Sequence, residues 1–402
     1  MAGSIYFREQ AQRVYLGFMI FLLVIVFLLN HSNQNSSQSM ATLLLLLSPG
    51  LLLLKLKPLP LELKAYIAAT ATMFIYALLL FFHHQISEVA FSTMRGLSFY
   101  LLAPVAVLTL WRLSPSRHGL LIIMLGGTLF SIYPVIRELL SYGQTHRGNL
   151  SAHPIFWGNV CLTTGVVAFI LSRDIRISWR FTRLLGWLSL SCAAIASFWS
   201  LTRGGWLSIP AALALLYLLK LINTKHLTAL LITVVIAFSF SSSLQNRVLV
   251  TFNHFKGGIS LDGSTSLRIQ MWDVSLDALQ HNVLIGYGLD GFSRQNSEEK
   301  QAGKLNFYFD HAHNEYFEIL ASRGLIGMAI FLFMVGTLTL TYYKNRHSIY
   351  AKAGLIALMQ YLIYSLSETF FTAKFTIMYF IVLHSFLLVA IHKEEQSQVR
   401  AA

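Results

Sequence analysis

Long apolar stretches separated by short polar ones dominate the chain. Runs of membrane-crossing length recur near residues 14–30, 41–57, 65–83, 97–113, 119–136, 154–172, 182–201, 205–222, 226–243, 323–343, 350–368 and 373–391. Each reaches the roughly 17 to 25 residues that a helix needs to cross the hydrocarbon core. Within lipid only a helix or a closed barrel satisfies its own backbone, and continuous apolar runs, not alternating ones, select helices. The pattern therefore predicts an all-α polytopic membrane protein with about twelve transmembrane helices. Pro49-Gly50 should kink or break the second of them. One stretch departs from this rhythm: residues 244–322 are hydrophilic and long. It divides the chain into an N-terminal membrane region, 1–243, an extramembrane loop, 244–322, and a C-terminal membrane region with a short tail, 323–402. Turn residues punctuate the loop at Gly257-Gly258, Asp262-Gly263 and Gly286-Tyr287-Gly288. Between them the helical spacing of Leu267, Met271, Val274 and Ala278 predicts a helix starting near Arg268. A second helix is expected from Asp310, with that residue as N-cap.

Composition agrees with the pattern: 55% of the 402 residues are hydrophobic and 12% charged, too little polar surface for a soluble fold of this size. Charge adds orientation. Lys55, Lys57 and Lys64, then Arg112 and Arg117, then Arg173, Arg176, Arg180 and Arg183, then Lys220 and Lys225, then Lys344, Arg346 and Lys352 occupy alternate connections. Cytoplasmic loops collect such residues, so both termini and these connections are expected in the cytoplasm and the 244–322 loop on the outer face. The net charge of +13 is thus a record of topology; spread over short loops, it argues against a nucleic-acid partner. Arg8 and Arg13 precede the first apolar run, and no small-residue cleavage site follows it, as expected of a retained signal anchor. Cys161 and Cys192 fall inside spans and build neither a disulfide framework nor a metal knuckle.

Candidate chemistry concentrates in Asp310-His311-Ala312-His313-Asn314-Glu315-Tyr316, immediately ahead of an apolar span. With Asp310 as cap, His313 would sit in the first helical turn, where the positive end of the helix dipole favours a neutral, basic imidazole. A neutral imidazole near pH 7 can act as general base. His311 would precede or share the cap and have no fixed direction. Side chains at i and i+2 diverge on a helix, and Glu315 and Glu318 would lie on other faces, so no metal site and no cofactor are expected. Arg203, in Leu201-Thr202-Arg203-Gly204-Gly205-Trp206, lies at an outer membrane edge where positive charge is disfavoured, beside glycines that would admit a ligand. Arg268 follows Ser264-Thr265-Ser266 at the expected helix start, an arrangement suited to a phosphate. Two arginines and a base suit transfer from a glycosyl diphosphate, whose leaving group needs its charge neutralised while the acceptor hydroxyl needs its proton removed. The first outer loop has no Asp-x-Asp pair, which favours a metal-independent route.

His311-Ala312-His313-Asn314-Glu315-Tyr316 and Arg323-Gly324-Leu325-Ile326-Gly327, with Thr202-Arg203-Gly204 and Ser266-Leu267-Arg268 upstream, resemble the O-antigen ligase and O-antigen polymerase superfamily. The resemblance implies a bacterial inner-membrane glycosyltransferase of the C-type, with its large loop in the periplasm. It further implies His313 as catalytic residue and Arg203 and Arg268 as diphosphate ligands, supported by His311, Asn314 and Glu315. The implied partners are an undecaprenyl-diphosphate-linked O-antigen as donor, a lipid A–core sugar as acceptor, and the inner-membrane lipids. The length near 400 residues looks like a ligase. A polymerase using a second lipid-linked glycan as acceptor, and a transporter of lipid-linked glycan without chemistry, are the alternatives.

Overall fold

A computed structural model describes residues 2–54, 58–84, 86–113, 116–142, 153–177, 179–200, 202–239, 245 and 263–401. The described residues are helical, with no strand among them. The N-terminal part comprises α1 (Ala2–Leu29), α2 (Gln34–Leu47), α3 (Leu61–His83), α4 (Glu88–Leu97), α5 (Leu102–Arg112), α6 (Arg117–Tyr142), α7 (Pro154–Leu171), α8 (Thr182–Trp199), α9 (Arg203–Leu218) and α10 (Thr224–Ser239). Then come α11 (Gly263–His281), α12 (Gly291–Gln301), α13 (Glu315–Lys344), α14 (Ile349–Tyr364) and α15 (Lys374–Ala401).

Seven helical segments among the described residues are long and apolar enough to cross a membrane: Glu9–Leu29, Leu61–His83, Glu88–Arg112, Arg117–Ser141, Pro154–Leu171, Glu315–Lys344 and Lys374–Ser397. Gly204–Leu218, Thr224–Val235 and Ile349–Tyr364 are apolar but shorter. A polytopic α-helical membrane protein is thus present, and among the described residues seven segments reach full crossing length where the sequence offers twelve apolar runs. The second run shows why: α2 stops at Leu47 and passes into a 3₁₀ segment, Ser48–Leu53, at Pro49-Gly50, the predicted break.

The middle of the bundle is formed by α7 and α15, which are buried almost throughout, whereas α1, α3 and the membrane part of α13 bury one face and turn large side chains such as Phe21, Leu79 and Phe333 outward. An outward apolar face needs hydrocarbon, not water, to cover it. Between α7 and α8, Gly165 leaves no room for a Cβ against Ala193, and Gly186 none against Ser172, so the backbones approach closely as in other membrane helix pairs. One polar chain runs inside the bundle: His31 bonds the Phe27 carbonyl at 2.9 Å and Thr164 at 2.6 Å, and Thr164 meets the Tyr379 hydroxyl at 2.7 Å.

The basic connections gather at one end, where Arg176 pairs with Asp174 and Glu394 and Lys352 donates to the Leu219 carbonyl at 3.3 Å. The polar segments expected outside meet at the other, where Asn30 reaches the Phe375 carbonyl at 3.0 Å, Ser87 reaches Asp290 at 2.7 Å, and Asn314 reaches the Leu366 carbonyl at 3.2 Å.

Candidate active site

The long helix α13 begins later than expected and is broken in the middle. Its N-cap is Asn314, whose side-chain oxygen accepts from the Tyr316 amide at 3.0 Å and the Phe317 amide at 3.4 Å, not Asp310. His313 therefore lies before the helix, and the dipole argument for its neutrality does not apply. Instead it adopts φ +48°, a left-handed conformation uncommon for a residue with a Cβ. Such backbone persists where surrounding contacts demand it, and functional sites are where it concentrates.

The reversal brings the two histidines together. Their ring centres are 4.3 Å apart, and both point at the carboxylate of Glu368, in the connection between α14 and α15. His311 Nε2 lies 2.8 Å from one oxygen and His313 Nδ1 lies 2.8 Å from the other. His311 is thus held as firmly as His313, contrary to the expectation that it had no fixed direction. The divergence of i and i+2 side chains, the ground for excluding a metal, also fails here, because these residues are not helical. The ligand-type atoms of His311, His313 and Glu368 lie within 4.8 Å of one another. Their 2.8 Å separations are nevertheless hydrogen-bond lengths, shorter than the ~3.3 Å between two ligands each about 2.0–2.1 Å from a tetrahedral ion.

Glu368 is fully buried. Burial opposes its ionisation, but the hydrogen bonds from His311 and His313 outweigh it and hold the carboxyl well below the ordinary carboxylate range. His311 responds in the opposite sense: burial disfavours its charge, but Glu368, Glu318 and Asp310 together raise its pKa. Glu368 also accepts from the Thr369 amide at 3.1 Å.

A second carboxylate anchors the start of α13. Glu315, also fully buried, takes the Phe371 amide at 2.7 Å, the Thr372 hydroxyl at 2.8 Å and the Arg323 guanidinium at 3.3 Å. Its own amide donates to the Ser365 carbonyl at 2.9 Å. Glu318, one turn on, accepts from the Ala312 amide at 2.9 Å and so fixes the segment between the histidines. Gly324 breaks the helix with φ +63°. The segment 283–287 takes up the freed bonding: Leu325 and Ile326 donate to the Val283 and Leu284 carbonyls at 2.9 and 3.0 Å, and the Tyr287 amide donates to the Ala321 carbonyl at 2.8 Å. Only glycine suits this position, since a Cβ would lie 2.5 Å from the Gly286 nitrogen.

Arg203 is the first residue of α9, and its side chain lies outside the described residues. The glycines after it make room for protein: a Cβ at Gly204 would strike Ser367, the neighbour of Glu368, and one at Gly205 would strike Asn159. The N-terminus of α9 therefore abuts the Glu368 connection. Arg268 is in the second turn of α11, not at a helix start, because the helix already begins at Gly263. Helix α11 packs on the histidine segment through Met271, Val274 and Ala278 against Ala312, and Trp272 stacks on Phe317 at 5.2 Å. Glu368, and Arg323 as the partner of the expected supporting residue Glu315, are the site-formers that sequence reading missed. A glutamate at the outer end of an apolar run was the available signal for the first.

The fold and this His–Glu–His cluster define a polytopic membrane protein that holds a buried carboxylate between two histidines at one end of its bundle. Residues 187–332 match the family model described as O-Antigen ligase, so the resemblance to the O-antigen ligase and polymerase superfamily is shown over the stretch that holds Arg203, Arg268, His311 and His313. Glu368 lies beyond it. The chain is also similar to an uncharacterized protein of Haemophilus influenzae, 24% identical over 233 residues, which are 53% of this chain and 58% of that protein. It therefore spans little more than half the length of that curated relative.

Proposed function

We propose that the protein is an O-antigen ligase of the bacterial inner membrane, transferring a glycan from undecaprenyl diphosphate to a lipid A–core sugar on the periplasmic side. The observation that carries this reading is the pair of 2.8 Å contacts from His311 and His313 to the two oxygens of Glu368, within a chain whose residues 187–332 match the O-Antigen ligase model. With its Nδ1–H donated to Glu368, a neutral His313 presents the lone pair of Nε2. That nitrogen takes the acceptor hydroxyl proton as the oxygen attacks the anomeric carbon. The bond from that carbon to the diphosphate oxygen breaks on the opposite face, which inverts the configuration. Glu368 stabilises the imidazolium that forms, as a carboxylate behind a catalytic imidazole does elsewhere. Arg203 and Arg268 neutralise the leaving diphosphate. The closeness of the α9 N-terminus to Ser367, and the packing of α11 on the histidine segment, support placing them there.

The test is transfer by purified protein in nanodiscs. His313→Ala should lower the rate by about 10² to 10⁴, the usual worth of general-base assistance, with donor binding retained. Glu368→Gln should fall in the same range, because the base loses its charged support. Activity should survive excess chelator. Inhibition by chelator that a divalent ion reverses, with equal losses in His311→Ala and His313→Ala, would replace the base with a metal held by the two histidines and Glu368. Undiminished transfer in His313→Ala would sink the proposal outright.

A further inference from the structure

At the end of the bundle where the basic connections gather, away from the histidines, the connection from α9 to α10 borders a cavity of about 650 Å³. Sites for small ligands commonly measure about 300–1,000 Å³. Arg173, two residues past the end of α7, lines it together with Lys220 and His226, and no carboxylate does so among the described residues. The hydroxyls of Tyr217 and Thr224 line it as well. Two acids of this end, Asp174 and Glu394, are engaged elsewhere: Asp174 holds Arg176 with both oxygens, and Glu394 takes Arg176 and the Ser348 hydroxyl.

Two of the cations are placed in ways that topology alone does not explain. The Arg173 guanidinium lies 4.4 Å from the centre of the Phe169 ring and 5.6 Å from that of Trp187, and its buried Nε has no hydrogen-bond partner. A guanidinium so placed lacks an acceptor that its planar fork is built to take. Lys220 has φ +57°. It ends α9 in a turn where its own amide donates to the Tyr217 carbonyl at 2.9 Å and the Leu221 amide donates to the Leu216 carbonyl at 2.9 Å. Glycine usually takes the left-handed position of that turn, because a Cβ is disfavoured there. A lysine near a helix C-terminus can serve the last carbonyls, but Lys352 already reaches the Leu219 carbonyl at 3.3 Å. A charge that only sets orientation would do so from any exposed loop position, whereas these two converge on one space.

Like charges facing one cavity repel each other and gain from an anion between them. Guanidinium, ammonium and hydroxyl groups together suit a phosphate. The apolar wall indicates its source. Leu218 lines the cavity and is 70% exposed, so that wall opens on an outward apolar face of the kind that hydrocarbon covers. A lipid lying there would place its headgroup at the cavity and its chains along that face, and basic pockets between membrane helices hold lipid phosphates in this way. We propose that this cavity binds the headgroup phosphate of an anionic phospholipid, on Arg173 and Lys220. The site is independent of the transfer reaction proposed above.

Native mass spectrometry of the full chain in neutral detergent reads the binding directly. The probes are phosphatidylglycerol, zwitterionic phosphatidylcholine, glycerol 3-phosphate and inorganic phosphate. The unmodified protein should hold phosphatidylglycerol in preference to the other three. Lys220→Gly removes the ammonium from a turn that suits glycine. It should weaken phosphatidylglycerol binding by about tenfold to a hundredfold, the range of a charged hydrogen bond, while the melting temperature in phosphatidylcholine holds or rises. Arg173→Gln should weaken the same lipid comparably. Arg346→Gln removes a cation that stacks on Tyr343 and does not line the cavity, and it should leave binding unchanged. Undiminished affinity for phosphatidylglycerol in Lys220→Gly would end the proposal, whatever Arg173→Gln does. An equal fall in Arg346→Gln would assign the attraction to the diffuse charge of the basic end. Tighter binding of glycerol 3-phosphate or inorganic phosphate than of the lipid would make this a site for a soluble phosphate. Either of these last two results overturns the lipid assignment.

Discussion

The two ends of the bundle solve the problem of charge in opposite ways. At the end where the basic connections gather, the Arg176 side chain keeps 28% of its surface in water while it pairs with Asp174 and Glu394. At the other end Glu315 and Glu368 are fully buried, Arg323 retains only 4% of its side-chain surface, and both carboxylate oxygens of each acid are engaged. Water can replace a lost partner at the first end and cannot at the second. Burying an ion costs several kcal/mol that only complete pairing offsets. The second arrangement is expensive to keep and sensitive to damage, as expected of a site retained for chemistry.

The sharpest test of the contrast is accessibility, because the two ends should lie on opposite sides of the membrane. In a background with Cys161→Ser and Cys192→Ser, a cysteine at Ser297 should react with an impermeant thiol reagent in intact spheroplasts and one at His347 only after lysis. The reverse pattern would turn the molecule over and remove the proposed site from the periplasm.

Next in size is the ion pair under the site. Arg323→Met leaves Glu315 buried without its cation and should cost roughly 3–5 kcal/mol, read as a large fall in thermal stability. Arg176→Met at the watered end should cost only about 1 kcal/mol. Comparable losses from the two substitutions would erase the distinction.

Gly324→Ala should fall between, at about 1–3 kcal/mol, since it strains a left-handed backbone and presses a methyl on the segment 283–287. Proteolysis of that segment should rise together with the loss of stability. A neutral Gly324→Ala would mean the break in α13 relaxes without consequence.

The smallest effect is on pH. Glu368 is depressed when folded, so its contribution is present above its unfolded value of about 4.3 and is lost as pH falls toward the folded one. His311 is raised, so its contribution is complete below about 6.5 and is lost as pH rises through its folded value. The advantage of wild type over Glu368→Gln in melting temperature should therefore peak between about pH 4.3 and 6.5. A difference that is flat with pH would show that His311 does not sense the carboxylate.

The apolar runs, the break at Pro49-Gly50, the alternation of basic connections and the helix through Leu267 and Met271 were legible in the order of residues, because each depends on local period or on loop charge. The histidine pair and Arg203 were legible as polar residues standing where a bilayer edge makes them costly. What the order could not show was set by groups far apart in the chain. Asp310 and Asn314 are both acceptable N-caps; the choice fell on Asn314 because Glu315 is drawn to Ser365, Phe371 and Thr372, some fifty residues on. The glycines at 204 and 205 read as room for a ligand, yet Ser367 and Asn159 fill the space beside them. Glu368 belongs to another helix connection, so its union with His311 and His313 across more than fifty positions is a product of packing alone. Local sequence determined which segments are apolar enough to enter a membrane and which polar segment carries the histidines. Tertiary structure decided which carboxylate they serve, because a buried charge must find partners wherever the fold brings them.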